Sequence, residues 1–574
     1  MRQGLSGSPK NCLLLAALLS SLILSGYCCW LSLWRYFINF GQYYDDALYM
    51  VCSFALSEGQ GYRIISIPGE PSQTKYPIGY ALLLALLWRL FPNFPQNLPA
   101  FESVQLIVSF AAVLVGTGYF WRTRKVTFAL AVAICASSIL NRRFIDLAPM
   151  ILTDLPCTLM SMIALWRTEV EAKRVFKIGS ALLLGVLVVA PGLVRLHGLA
   201  VLLCCLIYLL LKKKRRLAGV VLICAVVTLA PYFFWRADQR SLAPQFLSYY
   251  TGYVYASDAK LPPLSELWPL MNAGYAWNGF IQVQTYFPYS FESFTRLLPK
   301  DAVIMLWPLI YIPGVALPFL GMLLEARRGV LLGLYACIYL APGLIFPRAF
   351  EWRHFVPIMP MGYYYYVRAC RWLARKFKPQ ARVVRKLYQP VCGAVAVVFG
   401  LYIMVAPAVQ SIVRERDLKL ARWPMPPYFS PQFPKSDYDE AFRWLAARTR
   451  LSDTLVCNND PLCFLYTGRQ ALFPFKVDGW MNLVEVPVNL TEVLYFAAPR
   501  YMVADPLFPG RGLPATPVDW SAMNLNIACP GLVKLVFASS HRLIRVYAID
   551  YSKMPKGEES VVTKPQKVEG LPPN

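Results

Sequence analysis

Apolar runs of about 20 residues recur along most of this chain, and they constrain its fold more than any other feature. A run of that length crosses the hydrocarbon core of a bilayer as one α-helix. Of the 574 residues, 57% are hydrophobic and only 16% are charged, whereas a soluble domain carries about 25% charged residues. This composition excludes a disordered chain and argues against a soluble enzyme. We therefore predict a polytopic α-helical membrane protein.

The apolar runs predict about eleven transmembrane helices. They cover residues 11–33, 102–121, 126–141, 150–166, 178–195, 197–211, 217–235, 302–324, 329–346, 355–372 and 389–411. Lysine and arginine are concentrated in alternate short loops, as in 212–216, and cytoplasmic loops are the ones that carry such an excess. We therefore expect a multi-pass protein of the plasma or inner membrane, with a cytoplasmic N-terminus and an extracytoplasmic C-terminus.

The net charge of +25 follows from this topology, because most of the excess lies in the predicted cytoplasmic loops. In a soluble protein the same charge would point to nucleic acid. Here the expected partner of the chain is the lipid bilayer, and no nucleic acid is expected.

Three long segments are predicted outside the membrane. Residues 1–411 form the predicted transmembrane domain, with a first outer loop at 34–101 and an aromatic outer loop at 236–301. The aromatic loop fits an interfacial aromatic belt, or a partial lid whose rings stack on sugars. Two short strand patterns and a hairpin pattern predict a small extracytoplasmic α/β domain at 412–552, followed by a flexible tail at 553–574.

Two motifs of the 412–552 segment have both a chemical and a structural explanation. Asp437-x-Asp439 has the spacing of a metal-binding DxD motif, but a helix capping box that opens at Ser436 accounts for both carboxylates. Cys457 and Cys463 are expected to pair only if their compartment is oxidising.

Two adjacent carboxylates, Asp45 and Asp46, lie near the start of the first outer loop. Helix capping, which suits Asp well, accounts for one of them but not for both. Ionised groups near lipid are costly and are functional candidates by default. A carboxylate there can act as a general base towards an acceptor hydroxyl. The short apolar segments that follow predict two helices that lie along the outer membrane surface.

The order of the motifs in this loop resembles that of the GT-C membrane glycosyltransferases. The first span precedes Asp45-Asp46-Ala-Leu-Tyr, then Gly59-Gln-Gly-Tyr, then Lys75-Tyr-Pro-Ile-Gly-Tyr. The most similar group is that of the bacterial dolichyl-phosphate-mannose-protein mannosyltransferase-like enzymes, which includes aminoarabinose transferases of lipid A. The resemblance is clear over about residues 30–200 and looser to about 410.

This resemblance implies an inverting glycosyltransferase that acts on the extracytoplasmic face. Its donor would be a sugar linked to polyprenyl phosphate, and its acceptor a hydroxyl of a glycan, a lipid or a protein. A transporter or flippase of lipid-linked glycans is the main alternative, although such proteins tend to have internal repeats and mid-membrane charges. A non-catalytic assembly protein is another, because the 412–552 segment would suit binding.

The resemblance also implies roles for single residues. An acidic residue of the first outer loop is the catalytic base or lies beside it, which implies Asp45 or Asp46. We favour Asp45 as the base and Asp46 as its structural partner. A second acidic position, before a proline at the outer end of a span, implies Asp154, although a helix N-terminus explains Asp154 equally well.

The basic residue before the proline of the loop approaches the donor phosphate in relatives, which implies Lys75. Some relatives have a metal-binding Glu directly before that lysine, where this chain has Thr74. No cofactor is therefore predicted, and Thr74 argues against a divalent metal without excluding one.

Several arginines lie in short outer loops, where the topology rule disfavours them. Guanidinium groups suit bidentate binding of phosphate, and snorkelling at span ends is the alternative explanation. For the set we favour a cationic pocket for the donor phosphate. Its expected members are Arg195 and Arg353, with weaker candidates at Arg142, Arg143, His197 and His354.

Overall fold

The computed structural model describes most of the chain between residues 40 and 553. The described ranges are 40–41, 44–124, 126–139, 141–242, 316–345, 352–376 and 435–473, with parts of 476–505 and 517–553 and isolated positions before residue 40. The predicted spans 11–33 and 389–411 and most of the aromatic loop and the tail therefore lie outside the described residues.

The chain divides into two compact units, and each is described by itself. Unit one comprises residues 1–32, 102–233 and 261–422. Unit two comprises residues 33–101, 234–260 and 423–574.

The described helices, in chain order, are α1 (Asp45–Ser57), α2 (Ile78–Leu90), α3 (Leu98–Thr123), α4 (Phe128–Ile139), α5 (Arg142–Leu147), α6 (Asp154–Glu171), α7 (Ile178–Val194), α8 (Leu199–Leu211), α9 (Arg215–Leu242), α10 (Leu331–Ile345), α11 (Met359–Lys376), α12 (Lys435–Arg448), α13 (Asp460–Thr467) and α14 (Pro517–Ala528). Residues 316–327 are also helical. Short 3-10 turns occupy Leu196–Gly198, Trp352–His354 and Val356–Ile358.

The predicted spans between residues 102 and 235 and between 329 and 372 coincide with described helices, namely α3, α4 and α6 to α11. Among the described residues, Leu98–Thr123 and Arg215–Arg240 are long and apolar enough to cross a bilayer. The number of spans stays a prediction. Helices α6 and α9 extend furthest beyond their predicted ends: α6 continues to Glu171 rather than 166 and α9 to Leu242 rather than 235. In α9 the side chains of the last turns contact the first outer loop within unit two.

The helices of unit one expose apolar side chains. Ile107 is 67% exposed, Val186 62% and Val227 68%, which is the surface expected of helices in contact with lipid. The same helices approach closely at small residues. A Cβ on Gly198 would overlap the carbonyl group of Pro191, so only glycine lets the turn after α7 fold back onto that helix.

Unit two contains a five-stranded mixed sheet. Its strands are β1 (Leu455–Cys457), β2 (Ala471–Leu472), β5 (Tyr501–Ala504), β6 (Val533–Ala538) and β7 (Arg545–Ile549), in the spatial order β2-β1-β5-β7-β6. Strand β1 runs parallel to β2 and β5, whereas β7 runs antiparallel to β5 and β6. A separate antiparallel pair joins β3 (Lys476–Val477) and β4 (Leu483–Val484).

The sequence pattern predicts strands at 454–457 and 501–504 and a hairpin of 532–537 with 543–547, and these are confirmed as β1, β5 and the β6–β7 pair. Helix α12 begins at Lys435, next to the predicted start at Ser436, and the capping box itself stays a prediction. Asp437 and Asp439 lie two positions apart on α12, so they are about 200° apart around its axis. Cys457 and Cys463 are buried free thiols.

The first outer loop belongs to the same unit as this sheet. Helices α1 and α2 pack through aromatic pairs, such as Tyr49 with Tyr80 at 5.1 Å between ring centroids. Helix α13 packs on α1, where Phe464 covers Val51. The N–H of Ala471 in β2 donates to the carbonyl of Ser66 at 2.8 Å, which attaches the loop to the edge of the sheet. Separate domains were expected for these two segments, and the boundary between them stays a prediction.

Helix α2 leaves one apolar face uncovered, in agreement with a helix that lies on a membrane surface. Leu86 is 59% and Leu90 70% exposed on this helix. The opposite side is buried, with Trp88 only 3% exposed. Its placement on the membrane stays a prediction.

The orientation of the chain in the membrane is open to a direct test. Reporter fusions at Lys214 and at Ser560 should lie on opposite sides, because positive loops stay cytoplasmic and the predicted number of spans between the two positions is odd. Alkaline phosphatase and fluorescent-protein fusions measure this. A signal from the same side at both positions would contradict the predicted topology.

Candidate active site

Unit two contains the first of two polar clusters, here called the first-loop cluster and made of Tyr44, Asp45, Asp46, Tyr76 and Asp460. Its backbone is unusual at the entrance to α1, where Tyr44 has a φ of 60°. A non-glycine residue rarely adopts this conformation, and it persists only where its surroundings hold it. The side chain of Tyr44 is buried, and its hydroxyl donates to Asp460 Oδ1 at 2.9 Å.

Asp46 is completely buried in this cluster. Its Oδ2 accepts the N–H of Gly41 at 2.9 Å and its Oδ1 accepts the N–H of Ala47 at 2.7 Å. Burial raises the pKa of Asp46 to about 7, although the two backbone hydrogen bonds act in the opposite direction. Both carboxylate oxygens are thus used to hold the chain at the start of α1, which is a structural role.

Asp45 has a different environment, because it is half-buried. Its Oδ1 accepts a hydrogen bond of 2.5 Å from the hydroxyl of Tyr76. Tyr44, not Asp45, occupies the N-cap position of α1, so the capping explanation does not apply to Asp45. The contact with Tyr76 also brings Asp45 to the Lys75-Tyr-Pro motif, 30 residues further along the chain.

Lys75 lies beside the same tyrosine, with its Nζ 5.3 Å from the centroid of the Tyr76 ring. The backbone of this motif is held on several sides. Gln73 Oε1 accepts the N–H of Lys75 at 2.8 Å, and the hydroxyl of Tyr62 donates to the carbonyl of Tyr76 at 3.2 Å. The guanidinium of Arg236, near the end of α9, donates to the carbonyl of Thr74.

The Gly59-Gln-Gly-Tyr motif has a structural explanation within this arrangement. Gly59 and Gly61 have φ values of 77° and 84°, a conformation that favours glycine. They end α1 and direct the chain so that Tyr62 reaches the Lys75-Tyr-Pro segment. The three motifs of the loop therefore converge on Asp45 and Lys75.

Unit one contains the second cluster, here called the arginine–histidine cluster and made of Asp154, Arg195, His197, Arg353 and His354. Asp154 is the first residue of α6 and is 1% exposed. Its Oδ2 lies 2.6 Å from Nη1 of Arg195. The same Nη1 donates to Thr153 Oγ1 at 3.1 Å. Asp154 therefore pairs with a cation.

The two histidines of this cluster lie against each other, with ring centroids 5.4 Å apart. Tyr339 supports them, because its hydroxyl donates to the carbonyl of His354 at 3.1 Å. His197 interacts electrostatically with Arg195 and with Arg353. Two guanidinium groups accompany one carboxylate, so the cluster keeps a net positive charge when its histidines are neutral. Such a group of side chains suits an anion.

The remaining candidates receive no geometry. Arg142 opens α5, but its side chain and that of Arg143 lie outside the described part of the structure. Within the described ranges, no three His, Cys, Asp or Glu side chains converge in a way that could hold a metal ion. The prediction on metal binding therefore stays a prediction.

Sequence reasoning missed Tyr44, Tyr76, Asn459 and Asp460. Tyr44 directly precedes the acidic pair and Tyr76 directly follows Lys75. This position next to a candidate residue was the available indication of a role in the site. For Asn459 and Asp460 no local pattern exists, because their contacts reach residues more than 400 positions away.

No protein-family profile and no curated protein matches this chain by sequence. Solved structures match it by fold. The apo oligosaccharyltransferase of Archaeoglobus fulgidus matches with a TM-score of 0.50 at 12% identity, covering 85% of this chain and 69% of that one. That enzyme is a GT-C glycosyltransferase. The chain has a GT-C fold.

Two further GT-C structures are similar. ArnT from Cupriavidus metallidurans bound to undecaprenyl phosphate has a TM-score of 0.49 at 13% identity, covering 96% of this chain and 100% of that one. The oligosaccharyltransferase AglB from Archaeoglobus fulgidus, in complex with an inhibitory peptide and a dolichol-phosphate, has a TM-score of 0.48 at 11% identity, covering 94% and 75%. The predicted GT-C fold, a polytopic helical membrane fold, is confirmed by the match to the apo oligosaccharyltransferase.

The raised pKa of Asp46 makes a prediction about stability. The carboxyl of Asp46 is protonated more readily in the folded than in the unfolded chain. Its contribution to the free energy of unfolding is therefore fully present below pH 3.8 and is lost as the pH rises through about 7. This pKa shift corresponds to about 4 kcal/mol of the free energy of unfolding at most. As the pH rises from 4 to 7.5, the melting temperature of the wild type should fall relative to that of the Asp46→Asn variant.

Thermal unfolding in detergent at several pH values measures this difference. Asp550→Asn is the control, because hydrogen bonds from Ser552 lower the pKa of that exposed carboxyl and its contribution has the opposite pH dependence. A pH-independent difference between wild type and Asp46→Asn would show that Asp46 is ionised throughout this range.

Proposed function

We propose that this chain is an inverting glycosyltransferase of the cell membrane, which moves a sugar from a polyprenyl-phosphate carrier to an acceptor hydroxyl on the extracytoplasmic face. The observation that carries the proposal is the position of Asp45. It is a half-buried carboxylate held by Tyr76 at 2.5 Å, next to Lys75. The GT-C fold and the order of the three loop motifs support the same chemistry.

Asp45 is the proposed general base. An ionised carboxylate has two oxygens with about four acceptor sites in all, so the hydrogen bond from Tyr76 is compatible with a second one from the hydroxyl of an acceptor. In an inverting transfer this hydroxyl loses its proton to the base as its oxygen attacks the anomeric carbon, and the phosphate leaves from the opposite side of the sugar. Asp46 is unsuited to this role, since both of its oxygens accept backbone N–H groups.

Arg195 and Arg353 are the proposed contacts of the donor phosphate, and for Lys75 the same role stays a prediction from the resemblance. A phosphate that leaves a sugar gains negative charge in the transition state, and cations fixed in advance stabilise that charge. Arg195 is held in place by Asp154 at 2.6 Å, so it pays little conformational entropy when it binds an anion. His197 and His354, which belong to the same cluster, are proposed to line the binding site of the phosphate.

The two aspartates should respond unequally to substitution. Asp45→Asn keeps the shape of the side chain but removes its basicity, so transfer should fall by roughly 10²-fold or more. Asp46→Asn should mainly cost stability, since its amide nitrogen cannot accept a backbone N–H. The measurement is transfer of labelled sugar from undecaprenyl-phosphate donors, with monodispersity and melting temperature recorded for each variant.

Wild-type transfer by a folded Asp45→Asn protein would reject Asp45 as the base. If wild type transfers no sugar from any polyprenyl-phosphate donor but moves such lipids between the leaflets of proteoliposomes, the transporter alternative is correct.

Removal of Arg353 should weaken use of the donor. A hydrogen bond to a charged group contributes about 1.5–3 kcal/mol, so Arg353→Ala should lower kcat/KM for the donor by about 10-fold or more. Arg174→Ala is the matched control, because its guanidinium is largely exposed and contacts only Glu171 among the ion pairs described. Equal donor kinetics in Arg353→Ala and Arg174→Ala would place the donor phosphate elsewhere.

Arg195 needs a gentler substitution than Arg353. Arg195→Ala would leave the buried Asp154 without its cation, a change that costs several kcal/mol of stability. Arg195→Lys keeps the charge but loses the planar fork of donors, so it should lower donor kcat/KM while the protein stays folded.

A further inference from the structure

The start of helix α13 contacts the entrance of α1 within unit two. The side-chain amide of Asn459 donates to the carbonyl of Gly41 at 2.6 Å, and Asp460 Oδ1 accepts the hydroxyl of Tyr44 at 2.9 Å. Asn459 is 1% exposed and Asp460 is fully buried. Gly41 and Tyr44 are here called the entry turn, because the N–H of Tyr44 is hydrogen bonded to the carbonyl of Gly41.

Asn459 uses both ends of its amide. Its Oδ1 accepts the N–H of Leu462 at 3.3 Å and so caps α13, while its Nδ2 donates to Gly41. Only a side chain with one acceptor and one donor can make both bonds, since an aspartate in the same place could cap the helix but could not donate. The orientation of the amide, and hence the position of Gly41, is therefore set by the helix.

Gly41 packs directly against the same helix. Its φ of 85° favours glycine, and a Cβ on it would lie 2.9 Å from both methyl groups of Leu462. The N–H of Gly41 donates to Asp46, whereas its carbonyl accepts from Asn459. The entry turn is thus held between α1 on one side and α13 on the other.

Tyr44 is the second point of attachment, and it directly precedes Asp45. Its backbone has the disfavoured φ of 60°, which needs contacts that maintain it. The hydrogen bond to Asp460 is such a contact. A change in the backbone of Tyr44 would rotate the first residue of α1, which is Asp45.

We propose that Asn459 and Asp460 are positioning residues that act through the entry turn to orient Asp45. This inference rests on the proposed function, because it concerns the geometry of the same base. Asp460 is completely buried and therefore acts through Tyr44 rather than on a substrate. The α/β part of the chain thus contributes to transfer by holding the base, in addition to any role in binding an acceptor.

The test removes the two partners of the Tyr44–Asp460 bond singly and together. Tyr44→Phe and Asp460→Ala should each lower kcat by about 10-fold or more, since small displacements of a reacting group have effects of this size, while KM for the donor stays the same. The double variant should be no slower than the slower single variant, because both changes break one contact. Asp460→Asn should recover most of the rate, since its amide oxygen still accepts the hydroxyl of Tyr44.

The chain offers a matched control in the same unit. The hydroxyl of Tyr547 donates to Asp519 Oδ1 at 2.7 Å, so Tyr547→Phe breaks a tyrosine–aspartate bond of the same kind on the sheet. It should change stability at most and leave kcat unchanged. Hydrogen–deuterium exchange gives a second readout that needs no activity: peptides over residues 41–57 should exchange faster in Tyr44→Phe and Asp460→Ala, but not in Tyr547→Phe.

Wild-type kcat in Tyr44→Phe, or equal losses in Tyr44→Phe and Tyr547→Phe, would overturn the inference and leave the proposed function intact. Unchanged exchange over 41–57 in both Tyr44→Phe and Asp460→Ala would overturn it as well. A wild-type protein that transfers no sugar refutes the proposed function and with it the catalytic part of the inference, and the exchange data then decide alone whether α13 holds the entry turn.

Discussion

Asp46 and Asp154 are carboxylates that the fold removes from water almost completely, and much of the local structure depends on how each is satisfied. Burial of an ionised carboxylate costs several kcal/mol unless charges or hydrogen bonds replace its water. Asp46 obtains two backbone N–H groups, which bind the entrance of α1 to its first turn. Asp154 obtains a guanidinium, which positions Arg195. In both cases the hydrogen bonds or ion pair that a buried carboxylate needs also hold the residues that are proposed to take part in transfer.

The first outer loop shows how such a site is kept in place. Helix α1 carries the acidic pair and Lys75 lies just before α2, while Tyr44, at the entrance of α1, has an unusual backbone conformation. Asn459 and Asp460, at the start of a helix that also packs on α1, hydrogen bond to Gly41 and Tyr44, and we propose that these contacts help to maintain it. The loop is thus attached to the sheet that contains β1 and β5, an arrangement that suits the precise orientation of the proposed base.

Most of the fold and part of the candidate site are predictable from the sequence. The helices α3, α4 and α6 to α11 follow from apolar runs, since these reflect the surrounding medium rather than distant contacts. The end of α9 is not predictable in this way, because contacts of Arg236 and Gln239 with the first loop extend it beyond the apolar run. Asp45 and Lys75 stand out through their neighbours in sequence, whereas nothing local distinguishes Asp460 from any other aspartate after an asparagine.

The sequence by itself determined that the chain is a helical membrane protein, that its first outer loop has the motif order of GT-C glycosyltransferases, and that an acidic pair stands there. These properties are local, because hydropathy and motif order are written in consecutive residues. Only the tertiary structure decided how the two aspartates differ, because their burial depends on residues from several segments. It also decided that Asp154 pairs with Arg195, and that a helix beginning more than 400 residues downstream holds Tyr44. Hydrogen bonds and ion pairs between residues far apart in the sequence depend on how the chain packs, and no local sequence pattern indicates them.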